Sequence, residues 1–194
     1  MRILKKVYPN PKRTILVGHW SSEEQGLNGS RAFVEDHPEI VNNLQALFNQ
    51  DNGTGRVTRI TGQDIFTLTN TFSVGCTKFP QIIKPISKLH SPEVPVWRLR
   101  LASFVAAGAP GFSLSSLAWS YGTVTWHTNL DTYDKIVFDD LRNNAILTAI
   151  LVYQACEDPN KTSREKSVFT YGFTNQSTRC VAGKEKSDEE GRLG

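Results

Sequence analysis

Short continuous apolar runs and one long helical repeat dominate the hydrophobic pattern of this chain. The run Ile15–Val17, followed by a glycine, is typical of a strand buried inside an α/β sheet. The stretch 43–50 predicts a second strand, and we expect Ile15–Val17 and Leu44–Phe48 to be neighbouring buried strands. Between 138 and 156 apolar residues recur at spacings of three and four, which predicts a largely buried helix. Its expected stripe comprises Phe138, Leu141, Ala145, Ala149, Val152 and Cys156.

Less regular hydrophobic patterns predict the remaining helices and strands. Helices are predicted over Met1–Val7 and Gly29–Asp36, the second ended by Pro38, and over 80–89. Apolar positions from Val57 to Leu68 indicate another strand, and 168–173 a short one. This alternation of strands and helices predicts an α/β fold with a central sheet flanked by helices. Because the chain enters a buried strand almost at once, we expect residues before Met1 in related proteins to be absent here.

Composition narrows the class of protein. The 194 residues suffice for one globular domain, with 39% hydrophobic and 21% charged residues. A net charge of +3 gives no case for nucleic acid as a partner. No apolar stretch reaches the roughly eighteen residues of a membrane span. The N-terminal residues do not resemble a signal peptide, and localisation stays open. The three cysteines, Cys76, Cys156 and Cys180, allow at most one internal disulfide, and their redox state is open.

Two adjacent carboxylates, Glu23 and Glu24, come soon after the first apolar run. Ligands of open α/β sheets bind beyond the carboxyl ends of strands, so this is a usual position for chemistry. A solvated pair that favours a helix N-terminus is the plain structural alternative. At a metal site such a pair has a specific use: one carboxylate binds the metal while its neighbour takes a proton from water.

The sequence around this pair resembles a known motif. The stretch Ser22–Ser30, SEEQGLNGS, is similar to the Glu-Glu-x-Gly-Leu-x-Gly-Ser motif of the co-catalytic di-zinc aminopeptidases. That family includes bacterial leucyl aminopeptidases and plasma glutamate carboxypeptidase. The resemblance implies that Glu23 is the general base and that Glu24 is a zinc ligand.

Three further segments extend the resemblance. His127, in HTNLDT, matches the family's His-Thr-x-x-Asp-Thr motif, which implies a ligand of the same zinc as Glu24. Asp51, in the turn sequence DNGTG, resembles the aspartate that follows the Glu pair and binds the second zinc. The segment 103–112 is similar to Ser-Phe-x-x-x-Gly-x-Pro-x-Phe, although Arg98–Leu101 stands where the family carries Ser-Asp-His. We expect Asp131 and Asp134 to be turn and N-cap residues.

The resemblance implies a three-layer α/β/α sandwich with a central mixed sheet, incomplete at the N-terminus. It implies a zinc-dependent exopeptidase acting on peptides or amino-acid amides, and leaves open aminopeptidase or carboxypeptidase action, side-chain preference and oligomeric state. Residues 1–159 are expected to be the C-terminal portion of the peptidase domain, and 160–194 a polar, poorly ordered tail. The family's upstream ligand histidine and bridging aspartate are expected before Met1, which makes the chain a fragment. Glutaminyl cyclase shares the architecture, but the run GLNGS is closer to the peptidases. A non-catalytic relative with a binding or assembly role is the alternative.

Overall fold

The computed structural model describes residues 1–62, 89–90 and 101–164. The first half of the described chain contains helices α1 (Arg2–Val7), α2 (Asn28–Asp36) and α3 (Pro38–Asn43), followed by strands β1 (Leu47–Asn49) and β2 (Val57–Gly62). The second half contains β3 (Leu89–His90), α4 (Ala102–Ala106), β4 (Gly111–Ser116), a π-helical turn (Tyr121–Thr125), a 3₁₀ turn (Tyr133–Lys135) and α5 (Phe138–Glu157).

The four described strands form one mixed sheet in the order β1-β4-β2-β3. Strand β4 pairs in parallel with β1 and antiparallel with β2, and β2 pairs in parallel with β3. The first four residues of β4 are all buried, because helices cover both of its faces. The sheet therefore depends on β4, which links its parallel and antiparallel halves.

Helices lie on both faces of the sheet. On one face Ile60, Phe112 and Leu114 pack against Leu147 and Leu151 of α5. On the other face a separate apolar cluster contains side chains from α2, α3 and α4, among them Phe33, Val41 and Phe104. Strand β1 alternates between the two, with Leu47 in the second cluster and Phe48 in the first. The predicted three-layer α/β/α architecture is confirmed.

Helix α5 is confirmed, but its buried face differs from the predicted one at the start of the helix. Phe138 and Leu141 of the predicted stripe are 54% and 49% exposed. The buried residues are Asp140, Asn144, Leu147, Leu151 and Cys156, of which Cys156 belongs to the predicted stripe. The prediction was wrong at the start of the helix because two polar side chains occupy the inward positions there.

Asn144 satisfies two buried backbone groups, and Asp140 pairs with a half-exposed guanidinium. The Asn144 amide accepts from the backbone N–H of Val57 at 2.8 Å and donates to the carbonyl of Gly55 at 2.9 Å. Asp140 accepts from the Arg56 guanidinium at 3.1 Å. The first turns of α5 are therefore attached to the start of β2 by hydrogen bonds rather than by apolar packing.

The prediction of a strand at Ile15–Val17 is wrong. The run has no strand structure, and Leu16 and Val17 are each 55% exposed. A continuous apolar run becomes a strand when neighbours cover it on both faces, and no described strand pairs with it. The second predicted strand is confirmed only over Leu47–Asn49, since Asn43 still belongs to α3.

The other differences between the predicted elements and the structure concern single helices or strands. Pro38 does separate α2 from the next helix, but it also occupies the first position of α3, where its missing N–H costs nothing. Leu89, predicted to end a helix, lies in β3 beside Ile60. The rest of that predicted helix, the substituted segment 98–100 and the predicted strand 168–173 lie outside the described residues. No helix in the described part of the chain has the length and apolarity that a membrane crossing requires.

The chain remains ordered beyond α5, as far as the described residues extend. The Arg164 guanidinium donates to the backbone carbonyls of Gly108, Val41 and Leu44 at 2.8–2.9 Å. It thereby links the end of α3 to the turn after α4. The division into a domain of 1–159 and a tail of 160–194 stays a prediction, and 165–194 lie outside the described residues.

The N-terminal segment is fastened to the end of α5. Arg13 donates to the carbonyls of Ala155 and Cys156 at 3.0 and 2.6 Å, which are carbonyls left open at a helix C-terminus. Tyr8 donates a hydrogen bond to Glu157, and Lys12 forms an ion pair with the same carboxylate at 2.6 Å. The hydrogen bonds from Lys12 and then from Tyr8 hold the pKa of Glu157 below its ordinary value of 4.5. We call these contacts the N-terminal clasp.

We predict that Asn144→Ala lowers the free energy of unfolding by about 2–4 kcal/mol, because two buried backbone groups lose their partner at about 1–3 kcal/mol each. Urea unfolding followed by circular dichroism measures this difference. Asn143→Ala, at the half-buried next position, is the matched control and should stay within about 0.5 kcal/mol of the parent. Equal effects of the two substitutions would contradict the role assigned to Asn144.

We also predict that the contribution of Glu157 to stability depends on pH. Because its folded-state pKa is depressed, that contribution is present above pH 4.5 and is lost as pH falls through the lower folded-state pKa. The difference in unfolding free energy between the parent and Glu157→Gln should therefore shrink between neutral pH and pH 3. A difference that stays constant over this range would show that the clasp does not involve the ionised carboxylate.

Candidate metal and catalytic site

Two loops leave the sheet at the same edge. Strands β1 and β4 are parallel, so the loop after β1, residues 50–55, and the segment after β4 begin side by side. The Asn52 side chain accepts from the backbone N–H of Ser116 at 2.8 Å, which joins the two. At Gly55 a Cβ would lie 2.2 Å from the carbonyl oxygen of Leu117. Only glycine allows this close approach. The loop that contains Asp51 therefore packs directly against the segment that leads to His127.

His127 is held by a tightly bonded turn. The backbone N–H of Trp126 donates to the carbonyl of Tyr121 at 2.9 Å and closes the π-helical turn. Just beyond His127, the Thr128 hydroxyl donates to the carbonyl of Thr125 at 2.8 Å. His127 itself has φ +58°, a left-handed conformation that costs a non-glycine residue about 1–2 kcal/mol. Such backbone strain occurs preferentially at functional sites.

The glutamate pair lies on a second strained turn. Ser22 and Leu27, on either side of it, have φ values of +52° and +65°. The carbonyl of Glu23 accepts from the backbone N–H groups of Gly26 and Leu27 at 2.9 and 2.8 Å. We call residues 21–27 the glutamate turn. It ends where α2 begins, which fixes the direction in which both glutamates leave the backbone.

The two turns meet at one contact. Oε1 of Glu24 lies 3.1 Å from Nε2 of His127, although the residues are distant in sequence. The side chains are 58% and 54% exposed, so the pair is open to solvent. The Trp126 ring lies 4.4 Å from the His127 ring between centroids, which restricts the orientation of the imidazole. The structure thus brings together the two residues whose motifs imply ligands of the same zinc.

The other two candidate site residues, Glu23 and Asp51, lie on separate segments. Glu23 lies on the same turn as Glu24 and is half-buried. Asp51 is half-buried on the neighbouring loop after β1. Within residues 1–62 and 101–164 no group of three or more His, Cys, Asp or Glu side chains is arranged to hold a metal. The roles of Glu23, Glu24, Asp51 and His127 therefore stay predictions, with one ligand pair in contact.

Asp134 belongs to the turn after His127 and not to the site. It accepts hydrogen bonds from Lys135 and, at 2.5 Å, from the Thr132 hydroxyl. The Lys135 ammonium, followed by Thr132, lowers the pKa of Asp134 to about 2. The residue is inside the 3₁₀ turn, whose N-cap is Thr132, so the expected turn role holds and the N-cap role does not.

Gly29 has a structural role that the motif alone did not reveal. A Cβ at this position would lie 2.7 and 2.9 Å from the backbone oxygen and nitrogen of Ser21. Backbone atoms cannot move aside as a flexible side chain can, so a larger residue would displace the start of the glutamate turn. The sequence shows the glycine but not the backbone that it approaches, which only the fold reveals.

We predict that Gly29→Ala destabilises the protein by about 1–3 kcal/mol and disrupts the Glu24–His127 contact, since the new methyl group collides with backbone. Amide chemical shifts of residues 21–28 and of His127 should change together. Gly122→Ala is the control, because a Cβ there meets no atom within 4 Å. Confinement of the Gly29→Ala shifts to α2, with His127 unchanged, would refute this coupling.

Comparison with known proteins gives the family. The fold is similar to that of a peptidase M28 precursor from Shewanella amazonensis SB2B, with a TM-score of 0.60, 19% identity, and coverage of 74% of this chain and 31% of that one. It is also similar to an aminopeptidase from Aneurinibacillus sp. strain AM-1, with a TM-score of 0.51, 24% identity, and coverage of 75% and 34%. The chain therefore spans about a third of the length of these solved relatives. No curated protein sequence matches it. Because its sequence matches Peptidase family M28 over residues 1–152, the chain belongs to that family.

Proposed function

We propose that this chain is part of a zinc-dependent exopeptidase, of aminopeptidase or carboxypeptidase type, that hydrolyses peptide bonds. In this proposal Glu24 and His127 bind one zinc ion, Asp51 binds the second, and Glu23 is the general base. The observation that carries the proposal is the 3.1 Å contact between Glu24 and His127. Both residues lie on turns that contain left-handed non-glycine residues, and such strain occurs preferentially at functional sites.

The chemistry of this pair fits one side of a zinc site. A carboxylate oxygen and an imidazole nitrogen are usual zinc donors, and both are accessible here. The Trp126 ring limits the orientations of the imidazole, as a neighbour of a metal ligand should. Catalytic zinc normally has three protein ligands, and the described residues provide no group of three. We infer that the remaining ligands come from parts of the complete protein beyond these residues.

Zinc bound at such a site polarises a carbonyl group and lowers the pKa of water toward about 7. The residues of this chain then have separate tasks. Glu24 and His127 fix the position of the site relative to the sheet. The carboxylate of Glu23, on the same turn, accepts a proton from the attacking water and delivers it to the leaving amine. General-base catalysis of this kind contributes about 10²- to 10⁴-fold in rate.

Exposure of the first apolar run supports the proposal that the complete peptidase domain is larger. Leu16 and Val17 form part of a run typical of a strand covered on both faces, yet each is 55% exposed. The chain spans about a third of its solved relatives. In the complete domain, further strands and helices would cover this run.

A non-catalytic relative, which keeps the fold for binding or assembly, is the second candidate. The observation in its favour is that the described residues contain no three-ligand group. The two candidates differ in metal stoichiometry: the enzyme requires two zinc ions per complete domain, and the non-catalytic relative requires none.

We expect the 194-residue chain to bind zinc weakly and substoichiometrically, and His127→Ala or Glu24→Ala to abolish that binding. Isothermal titration with Zn²⁺ and elemental analysis after dialysis measure it. His37→Ala is the matched control, because His37 faces Glu39 in a similarly exposed pair, at 3.6 Å, outside the site. Loss of zinc with His37→Ala, but not with His127→Ala, would contradict the ligand assignment.

We expect that adding the upstream part of the peptidase domain, in the same chain or as a separate fragment, restores stoichiometric zinc and hydrolysis of amino-acid amides. In that protein Glu23→Gln should abolish turnover and leave zinc bound, since Glu23 is assigned to proton transfer. Glu35→Gln, an exposed position of α2, should retain activity. Full activity of the 194-residue chain alone, or activity that survives Glu23→Gln, would overturn the corresponding assignment.

A further inference from the structure

Two serine hydroxyls form a short hydrogen-bonded chain behind the glutamate turn. Ser30, in α2, is only 1% exposed. Its Oγ lies 3.1 Å from the carbonyl oxygen of Leu27 and 3.0 Å from Oγ of Ser103, in α4. The two serines are far apart in sequence, so this chain of bonds connects two helices that otherwise meet through apolar contacts.

The direction of these bonds follows from the number of protons. A serine hydroxyl carries one hydrogen, and a carbonyl oxygen can only accept. Ser30 therefore donates its hydrogen to Leu27, and Ser103 must donate to Ser30. The order is Ser103 to Ser30 to Leu27, and every donor in it has an acceptor. We call it the serine relay.

The relay ends at a strained residue. Leu27 has φ +65°, and its carbonyl also accepts from the backbone N–H of Arg31 at 2.9 Å. Without bonds that hold it there, a leucine would return to a right-handed or extended conformation, because the left-handed one brings its Cβ too close to the following carbonyl oxygen. Such a return would unwind the turn at whose start Glu23 and Glu24 lie. The hydroxyl of Ser30 is thus positioned where it opposes the relaxation of this turn.

The burial of Ser30 argues against a serine chosen there only for its size. Alanine would fill nearly the same space beside the apolar cluster that includes Phe33 and Phe104. A buried hydroxyl gains over alanine only when it is hydrogen-bonded, because an unsatisfied one has lost its hydrogen bonds to water without replacement. The contact between Ser30 and Ser103 satisfies both hydroxyls and links α4 to the glutamate turn.

We propose that Ser30 and Ser103 are positioning residues: the relay fixes the glutamate turn so that Glu24 meets His127. The importance of this position for catalysis rests on the proposed function. The effect of the relay on the conformation of the glutamate turn, its mechanical role, does not rest on the proposed function, because it can be measured in the 194-residue chain alone.

Amide hydrogen exchange of the 194-residue chain tests the mechanical role. The N–H groups of Gly26, Leu27, Asn28 and Gly29 all donate to carbonyls of the glutamate turn and report on its opening. In Ser30→Ala these four amides should exchange at least about tenfold faster, relative to amides of Leu114 and Leu147 in the core. In Ser103→Ala the acceleration should be smaller, because Ser30 still donates to Leu27. Ser103→Thr keeps the hydroxyl, so its four amides should exchange at the wild-type rates.

Val41→Ala is the control for a loss of general stability. Val41 is 2% exposed in the same apolar cluster but contributes no side chain to the relay. Its removal should accelerate turn and core amides by a common factor. The proposal is wrong if Ser30→Ala shows this uniform pattern, or if Ser103→Ala opens the turn more than Ser30→Ala does. If Ser30→Ala does not fold, the comparison of Ser103→Ala with Ser103→Thr still decides, since equal rates in the two would refute the relay.

Zinc titration separates this proposal from the proposed function. If both hold, Ser30→Ala should bind Zn²⁺ about tenfold more weakly than wild type, while Val41→Ala binds as wild type does under conditions where both are folded. If the exchange pattern is as expected but neither protein binds zinc, the relay stands and the zinc assignment fails. If zinc binding and turn exchange are both unchanged in Ser30→Ala, the relay fails and the zinc assignment stands.

Discussion

The pairing of β4 with both of its neighbours is the constraint on which the rest of the structure depends. This strand is buried on both faces, so each of its backbone groups must find a partner within the sheet. Its parallel pairing with β1 places two loops at one sheet edge, and its antiparallel pairing with β2 provides the apolar face for α5. Gly111 begins the strand without a side chain, and a Cβ there would lie within 2.8 Å of Val105 and Leu101. Helix α4 can therefore pack directly on the strand, which sets the position of Ser103.

The hydrophobic pattern predicted where the elements are better than which way they face. Helix α5 was correctly located by its apolar spacing, but Asp140 and Asn144 point inward and Phe138 and Leu141 point outward. Apolar periodicity assumes that polar side chains prefer water, and it fails where a polar side chain must satisfy buried backbone groups. The run Ile15–Val17 fails for a different reason: strand formation requires a neighbouring strand, which no single segment encodes.

At the candidate site, too, the sequence predicted some features and only the structure revealed others. Resemblance of two motifs predicted that Glu24 and His127 serve one zinc, and the structure places them in contact. Neither composition nor spacing could predict the left-handed conformations of Ser22, Leu27 and His127, because residues of these types rarely adopt them. The glycine and serine of the motif, Gly29 and Ser30, gain a physical explanation only once their partners Ser21 and Ser103 are known.

The N-terminal clasp has a consequence for the order in which the chain can fold. Tyr8 and Glu157 are 149 residues apart in sequence, so the clasp closes one of the longest loops in the described chain. On the ribosome Lys12 and Arg13 emerge before α5, so their partners exist only after α5 has been synthesised. The strands of the sheet are synthesised between the two halves of the clasp and can pair before it closes. Contacts of such long range form slowly, which makes closure of the clasp a late step in folding.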